Sequence, residues 1–177
     1  MYSKIILNAI IVIFLVIFQL AFISGLPLGL NNINFLLIAL IFILVLKDNK
    51  TAFWWSIGIG SLVDIYSFLP FGFFIVSFFI TILIADFLLK NFFTNVSLYS
   101  FLALTFFSTI IYEFWLRINV YIFNLFILKI DFFMFIKDFW VNFLWQIVFN
   151  LLFVFILFYI INFISQRLKP VFLVKRK

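Results

Sequence analysis

Gly58-Ile59-Gly60-Ser61-Leu62-Val63-Asp64-Ile65-Tyr66-Ser67-Phe68-Leu69-Pro70-Phe71-Gly72 stands between two long apolar runs. It holds three of the chain's five glycines, one of its three prolines and a carboxylate. Flanking runs of membrane-spanning character make it the corner where one helix turns into the next. Upstream, Ala52, Ser56, Gly60 and Asp64 recur every fourth residue, so they share one stripe of a helix. Three small residues on a stripe let another backbone come close, which is how membrane helices associate without a hydrophobic force. Asp64 ends that stripe. An acid at this depth is costly unless it is paired or reaches water. Two roles are open to it: capping the turn by accepting backbone N–H groups of the following helix, or facing a water-filled cavity.

Working outward, composition names the solvent. The chain is 68% hydrophobic and 10% charged, with a mean hydropathy of +1.37. A soluble domain of 177 residues could not hide that much apolar surface, so lipid must cover it. The 32 phenylalanines read as compositional drift, not as a phenylalanine-based site. The absence of cysteine and histidine removes disulfides, thiolate nucleophiles, imidazole bases and the usual zinc ligands. No cofactor is implied. The net charge of +6 sits mostly in the C-terminal tail and suits anionic lipid, not nucleic acid.

Hydropathy and breakers place six spans at residues 5–23, 31–46, 51–65, 72–89, 98–116 and 139–164, in one polytopic domain covering 1–177. The first span continues without a small-x-small cleavage site, which argues against a signal peptide. The second is short and is extended by Asn31 and Asn32. The third opens with Trp54 and Trp55 at interface depth. Residues 117–138 have three readings: interfacial, re-entrant, or a continuation of the fifth helix. Lys4, Lys47, Lys50, Lys90, Arg167, Lys169, Lys175, Arg176 and Lys177 fall on one side, and Arg117, Lys129 and Lys137 on the other. The positive-inside rule then puts both termini in the cytoplasm and the Gly72 turn outside.

Polar residues in such a chain must find protein partners. Asn142, Gln146 and Asn150 make an amide stripe on the last helix, expected to hydrogen-bond inside the bundle, with Gln19 as a plausible partner. Asp86/Lys90 and Glu113/Arg117 are acid-first i, i+4 pairs, read as interface pairs that settle a helix end at the headgroups.

The central stretch resembles the MreD family of rod shape-determining membrane proteins. That family's pattern of glycine, aspartate four residues on and glycine eight further falls on Gly60, Asp64 and Gly72, with Leu69-Pro70-Phe71-Gly72 also of its type. Gln19 late in the first span and the Asn31-Asn32-Ile33-Asn34 entry to the second fit the same layout. Gln146 stands near where the family often has a proline. The resemblance covers the whole chain as a layout and residues 58–72 as a motif. It implies an all-α six-helix bundle similar to the substrate-binding subunits of energy-coupling-factor transporters. It also implies a non-catalytic scaffold of the bacterial cell-elongation complex in the cytoplasmic membrane. The implied partners are an MreC-like protein and, through it, MreB, the RodA glycosyltransferase and a transpeptidase. Gly60, Asp64, Pro70 and Gly72 would shape a partner-docking or cavity corner.

Two rivals are weighed against it. A vitamin-transporter binding subunit would show an Ala-x-x-x-Ala contact on the first helix, where this chain has Asn8-Ala9-Ile10-Ile11-Val12-Ile13. An intramembrane hydrolase would need a second acid beside Asp64. Asp86 and Glu113 are read as lying at opposite membrane faces, which argues against a dyad, and Ser61 after Gly60 breaks a Gly-x-Gly-Asp motif.

Overall fold

The computed structural model describes residues 2–27, 29–93, 97–123 and 139–172. The chain is all-α, and no strand occurs among the described residues. Helices α1 (Tyr2–Ile17), α2 (Phe35–Leu46), α3 (Asn49–Tyr66), α4 (Phe73–Asn91), α5 (Leu98–Phe123) and α6 (Phe139–Phe172) run in succession. Segments Ile6–Gly25, Phe73–Asn91, Leu98–Phe123 and Trp140–Ile161 are each long and apolar enough to cross a membrane. Their outer faces are apolar: Leu7, Ile10 and Phe14 on α1 and Leu144, Val148, Leu152 and Ile156 on α6 are exposed. Apolar faces this extensive on several helices belong in lipid. The protein is therefore a multi-pass membrane protein.

The core is organised around α2. It spans only 12 residues, and of these Leu46 alone is exposed. Leu37, Ile38, Leu40 and Ile41 have no accessible surface. A helix that is hydrophobic all round is one enclosed by its neighbours, and α3, α4, α5 and α6 surround this one. Its start differs from the expectation. Asn31 and Asn32 belong to a separate 3-10 turn, Leu30–Asn32, and Asn34 is the N-cap, its side chain accepting from the Leu37 N–H at 3.0 Å. The asparagines compete for backbone hydrogen bonds and so stop the helix short of the predicted boundary.

The first span also departs from a plain α-helix. After Ile17 the chain widens into a π turn, Phe18–Phe22, and tightens into a 3-10 turn, Ile23–Gly25. The α2–α3 turn is capped by Asp48, which accepts from the Thr51 N–H at 3.1 Å and the Thr51 hydroxyl at 2.6 Å. Trp54 is exposed as an interface residue should be, but Trp55 is buried, since it points a further 100° round the helix into the bundle. Of the three readings for 117–138, continuation of the fifth helix holds through Phe123. Lys129, Asp131, Lys137 and Asp138, like Lys175, Arg176 and Lys177, lie outside the described residues.

Candidate functional site

Two features share one end of the bundle. The first is the α3–α4 corner. Ala52, Ser56 and Asp64 are 0–3% exposed and Gly60 is buried with them, so the whole stripe faces inward. A Cβ on Gly60 would lie 2.5 Å from Ile75 Cα and 2.8 Å from Ile75 N. No side chain fits there; α4's backbone lies directly on α3. That contact brings α4's N-terminus within reach of Asp64. The Asp64 carboxylate accepts from the N–H groups of Gly72 (2.9 Å), Phe74 (2.9 Å) and Ile75 (3.2 Å).

This arrangement explains the motif residue by residue. The first N–H groups of any helix lack intrahelical partners, and a side chain at the N-cap normally takes them. Here the N-cap is Gly72, which has no side chain, and its φ of +107° is a conformation that favours glycine. Asp64 supplies the missing cap from the preceding helix, and its negative charge suits α4's positive end. Ser67 closes α3, its N–H donating to Val63 O at 2.9 Å and its hydroxyl to Asp64 O at 3.1 Å. Pro70 turns the chain and its carbonyl accepts from the Phe73 N–H. Of the two roles open to Asp64 from sequence, the cap is the one observed.

The second feature is a cavity of about 360 Å³ beside this corner. Val63, Ser67, Phe74 and Phe78 line it from the corner, and Glu113, Arg117 and Gln146 from α5 and α6. Exposed Asn31 and Asn142 stand at its mouth. Glu113 Oε2 and Arg117 Nη2 are 3.4 Å apart, with the two side chains 13% and 35% exposed. Gln146 also reaches Glu113. The pair forms as its spacing predicts, yet it lines an internal cavity as well as a helix end, because α5 continues past Arg117 to Phe123.

A polar clamp, whose Gln19 and Asn34 also line the cavity, fixes the entry to α2. Gln19 donates through Nε2 to Ile33 O and accepts at Oε1 from the Phe35 N–H, both at 2.9 Å. Asn150 has no accessible surface; it accepts from the Asn34 N–H at 2.9 Å and donates to the Thr109 hydroxyl at 3.1 Å. Gln19 is therefore not the partner of the α6 amides, as the sequence suggested. It serves the backbone that the 3-10 turn and the α2 cap leave unpaired. Within the amide stripe, Asn150 is enclosed, Gln146 is 9% exposed beside the cavity, and Asn142 reaches the surface.

Glu113 and Asp86 lie at opposite ends, as read from the sequence: Glu113 shares Asp64's end, since α3 and α5 run the same way, and Asp86 sits at the other, paired with Lys90 at 2.6 Å. Asp64 is unsuited to a dyad for a different reason: both its oxygens are engaged by backbone amides. Sequence reasoning missed Asn34, Tyr112, Glu113 and Arg117 as cavity residues. The available signal was that an acid–base pair occurs in an apolar helix on the same side as the Gly72 turn. A comparison with protein-family models, with curated proteins and with solved structures found no match.

Proposed function

We propose that this chain is a non-catalytic membrane scaffold of the MreD type. In this reading it belongs to the bacterial cell-elongation complex and takes part in cell shape and peptidoglycan synthesis. The observation that carries it is the α3–α4 corner: Gly60, Asp64 and Gly72, the residues of the resemblance, depend on one another. A carboxylate held by three amides orients a helix; it is not poised to move a proton. Six spans, counting α2 and α3 among the crossings, both termini in the cytoplasm and the corner outside, complete the reading. The fold similarity to energy-coupling-factor binding subunits belongs with it. The partner is an MreC-like protein, which links the chain to MreB, RodA and a transpeptidase.

Co-purification tests it. Wild-type protein is expected to bring down an MreC-like protein, and Asp64→Leu to lose it, with rod growth lost in a strain relying on the variant. Unchanged assembly and unchanged rods with Asp64→Leu would reduce the corner to packing.

The cavity favours a second reading, a substrate-binding subunit of an energy-coupling-factor vitamin transporter. Its volume is within the about 300–1,000 Å³ of small-molecule sites. Vitamin uptake by cells carrying the chain, absent without it, would choose this reading over the first.

A further inference from the structure

In a lipid-embedded bundle every amide and charge without a partner costs free energy. Most of this protein's buried polar groups are accounted for. The Ser and Thr hydroxyls of α4 and α5 largely return to their own backbones, as with Thr81 to Ser77 O and Thr105 to Phe101 O. Asp64, Gln19 and Asn150 serve helix ends. The cavity's charges are partnered as well, but by side chains that can exchange partners: a carboxylate and a guanidinium stand side by side with Gln146 next to the carboxylate, and Asn31, Asn142, Val63, Phe74 and Phe78 share the lining.

We propose that this cavity binds a small zwitterion, an α-amino acid with an apolar side chain. The inference goes beyond the scaffold reading and uses none of Gly60, Asp64, Pro70 and Gly72. Three observations carry it. The charges come as a pair: a solute bearing only one charge would satisfy one member and face the other's like charge. An α-amino acid presents an ammonium and a carboxylate a few ångströms apart, so it can lie antiparallel to the pair, ammonium on Glu113 and carboxylate on Arg117. The pair is also loosely closed. At 3.4 Å its contact is longer than the about 2.7–2.9 Å of a tight charge-assisted hydrogen bond. Finally, Val63, Phe74, Phe78 and Phe143 give the lining an apolar and aromatic part, matching an aliphatic or aromatic side chain. This combination of a few directed polar groups with apolar walls is the usual make-up of a small-molecule site.

Purified protein in nanodiscs, titrated with L-leucine and followed by saturation-transfer NMR, tests the proposal. Leucine amide (cation only), N-acetyl-leucine (anion only) and N-acetyl-leucine amide (uncharged) are the controls. Leucine is expected to bind, each singly charged control about tenfold more weakly or worse, and the uncharged one not at all. Arg117→Gln is expected to reverse the order, so that leucine amide binds better than leucine, and Glu113→Gln to shift preference toward N-acetyl-leucine. A purely structural pair would not produce that exchange. Equal binding of leucine and its uncharged derivative, or no binding of leucine or phenylalanine to the wild-type protein, overturns the proposal, and neither result depends on a variant folding. Retained co-purification of the MreC-like partner by the Glu113 and Arg117 variants separates failure here from failure of the scaffold reading.

Discussion

Asp64 and Glu113 are acids at the same end of one bundle, and they are used in opposite ways. Asp64 is 3% exposed, and its carboxylate is held by three backbone amides where two helices touch backbone to backbone. Glu113 faces a cavity, a guanidinium 3.4 Å away and a carboxamide. A buried carboxylate inside a membrane protein is commonly taken as a mark of function. The contrast shows that the partner decides. Backbone amides cannot move, so an acid bound to them holds architecture. Side chains around a cavity can exchange one partner for another.

The contrast breaks most visibly at Gly60. Gly60→Leu must push α4 off α3, because the obstacle is Ile75 backbone and not a flexible side chain. A cost of about 4 kcal/mol or more is expected, read as loss of monodisperse protein after extraction and a collapsed unfolding midpoint in a detergent titration. Next comes Asp64→Leu, which leaves buried N–H donors at α4's start unpaired. About 3 kcal/mol is expected in the same titration, with Asp64→Asn recovering a large part because one oxygen remains an acceptor. If Asp64→Leu were as stable as wild type, the corner would not be the closed joint described above. Gln19→Leu and Asn150→Leu each remove an acceptor and a donor from the α2 entry, so about 2 kcal/mol is expected for each. On the cavity side, Glu113→Gln keeps an acceptor beside the partly exposed Arg117, so it should cost less stability than Asp64→Leu while changing ligand preference. A loss as large as that of Asp64→Leu would erase the distinction between the two acids.

The smallest effect is electrostatic and lies at the other end. The Thr51 hydroxyl and N–H hold the exposed Asp48 carboxyl below its ordinary range, and Lys47 and Lys50 add to this. A lowered folded-state value means the cap contributes stability above the unfolded aspartate's titration and loses it as pH falls through the lowered one. Thermal midpoints of wild type and Asp48→Ala should therefore differ near neutrality and converge on acidification.

Much of this architecture is readable along the chain. The i, i+4 stripe ending at Asp64 and the acid-first ion pairs are local patterns, and helix geometry alone brings their members together. The extent of α4 also follows from its apolar run. What could not be read is who meets whom across long separations. Asn34 meets Asn150 across 116 residues and Gln19 meets Phe35 from a π turn, and neither contact leaves a periodic trace. Helix α2 is apolar on every side, so no pattern distinguishes its faces or separates it from a lipid-facing span. Asn31 and Asn32 look like a helix extension until the Asn34 cap is seen. The cavity is a product of these long-range meetings, which is why Glu113 and Arg117 read as a surface pair.

The enclosure of α2 bears on how the protein is made. At 12 residues it is about 18 Å long, against hydrocarbon about 30 Å thick. Such a segment cannot settle stably in a bilayer when it leaves the ribosome alone. It must wait for the segments that sheathe it, α3 to α6, so insertion of this part of the chain is a joint event of several helices. The Gln19 and Asn150 clamp is then more than a fastening of the finished fold. It locks a helix too short to hold its own place in a bilayer.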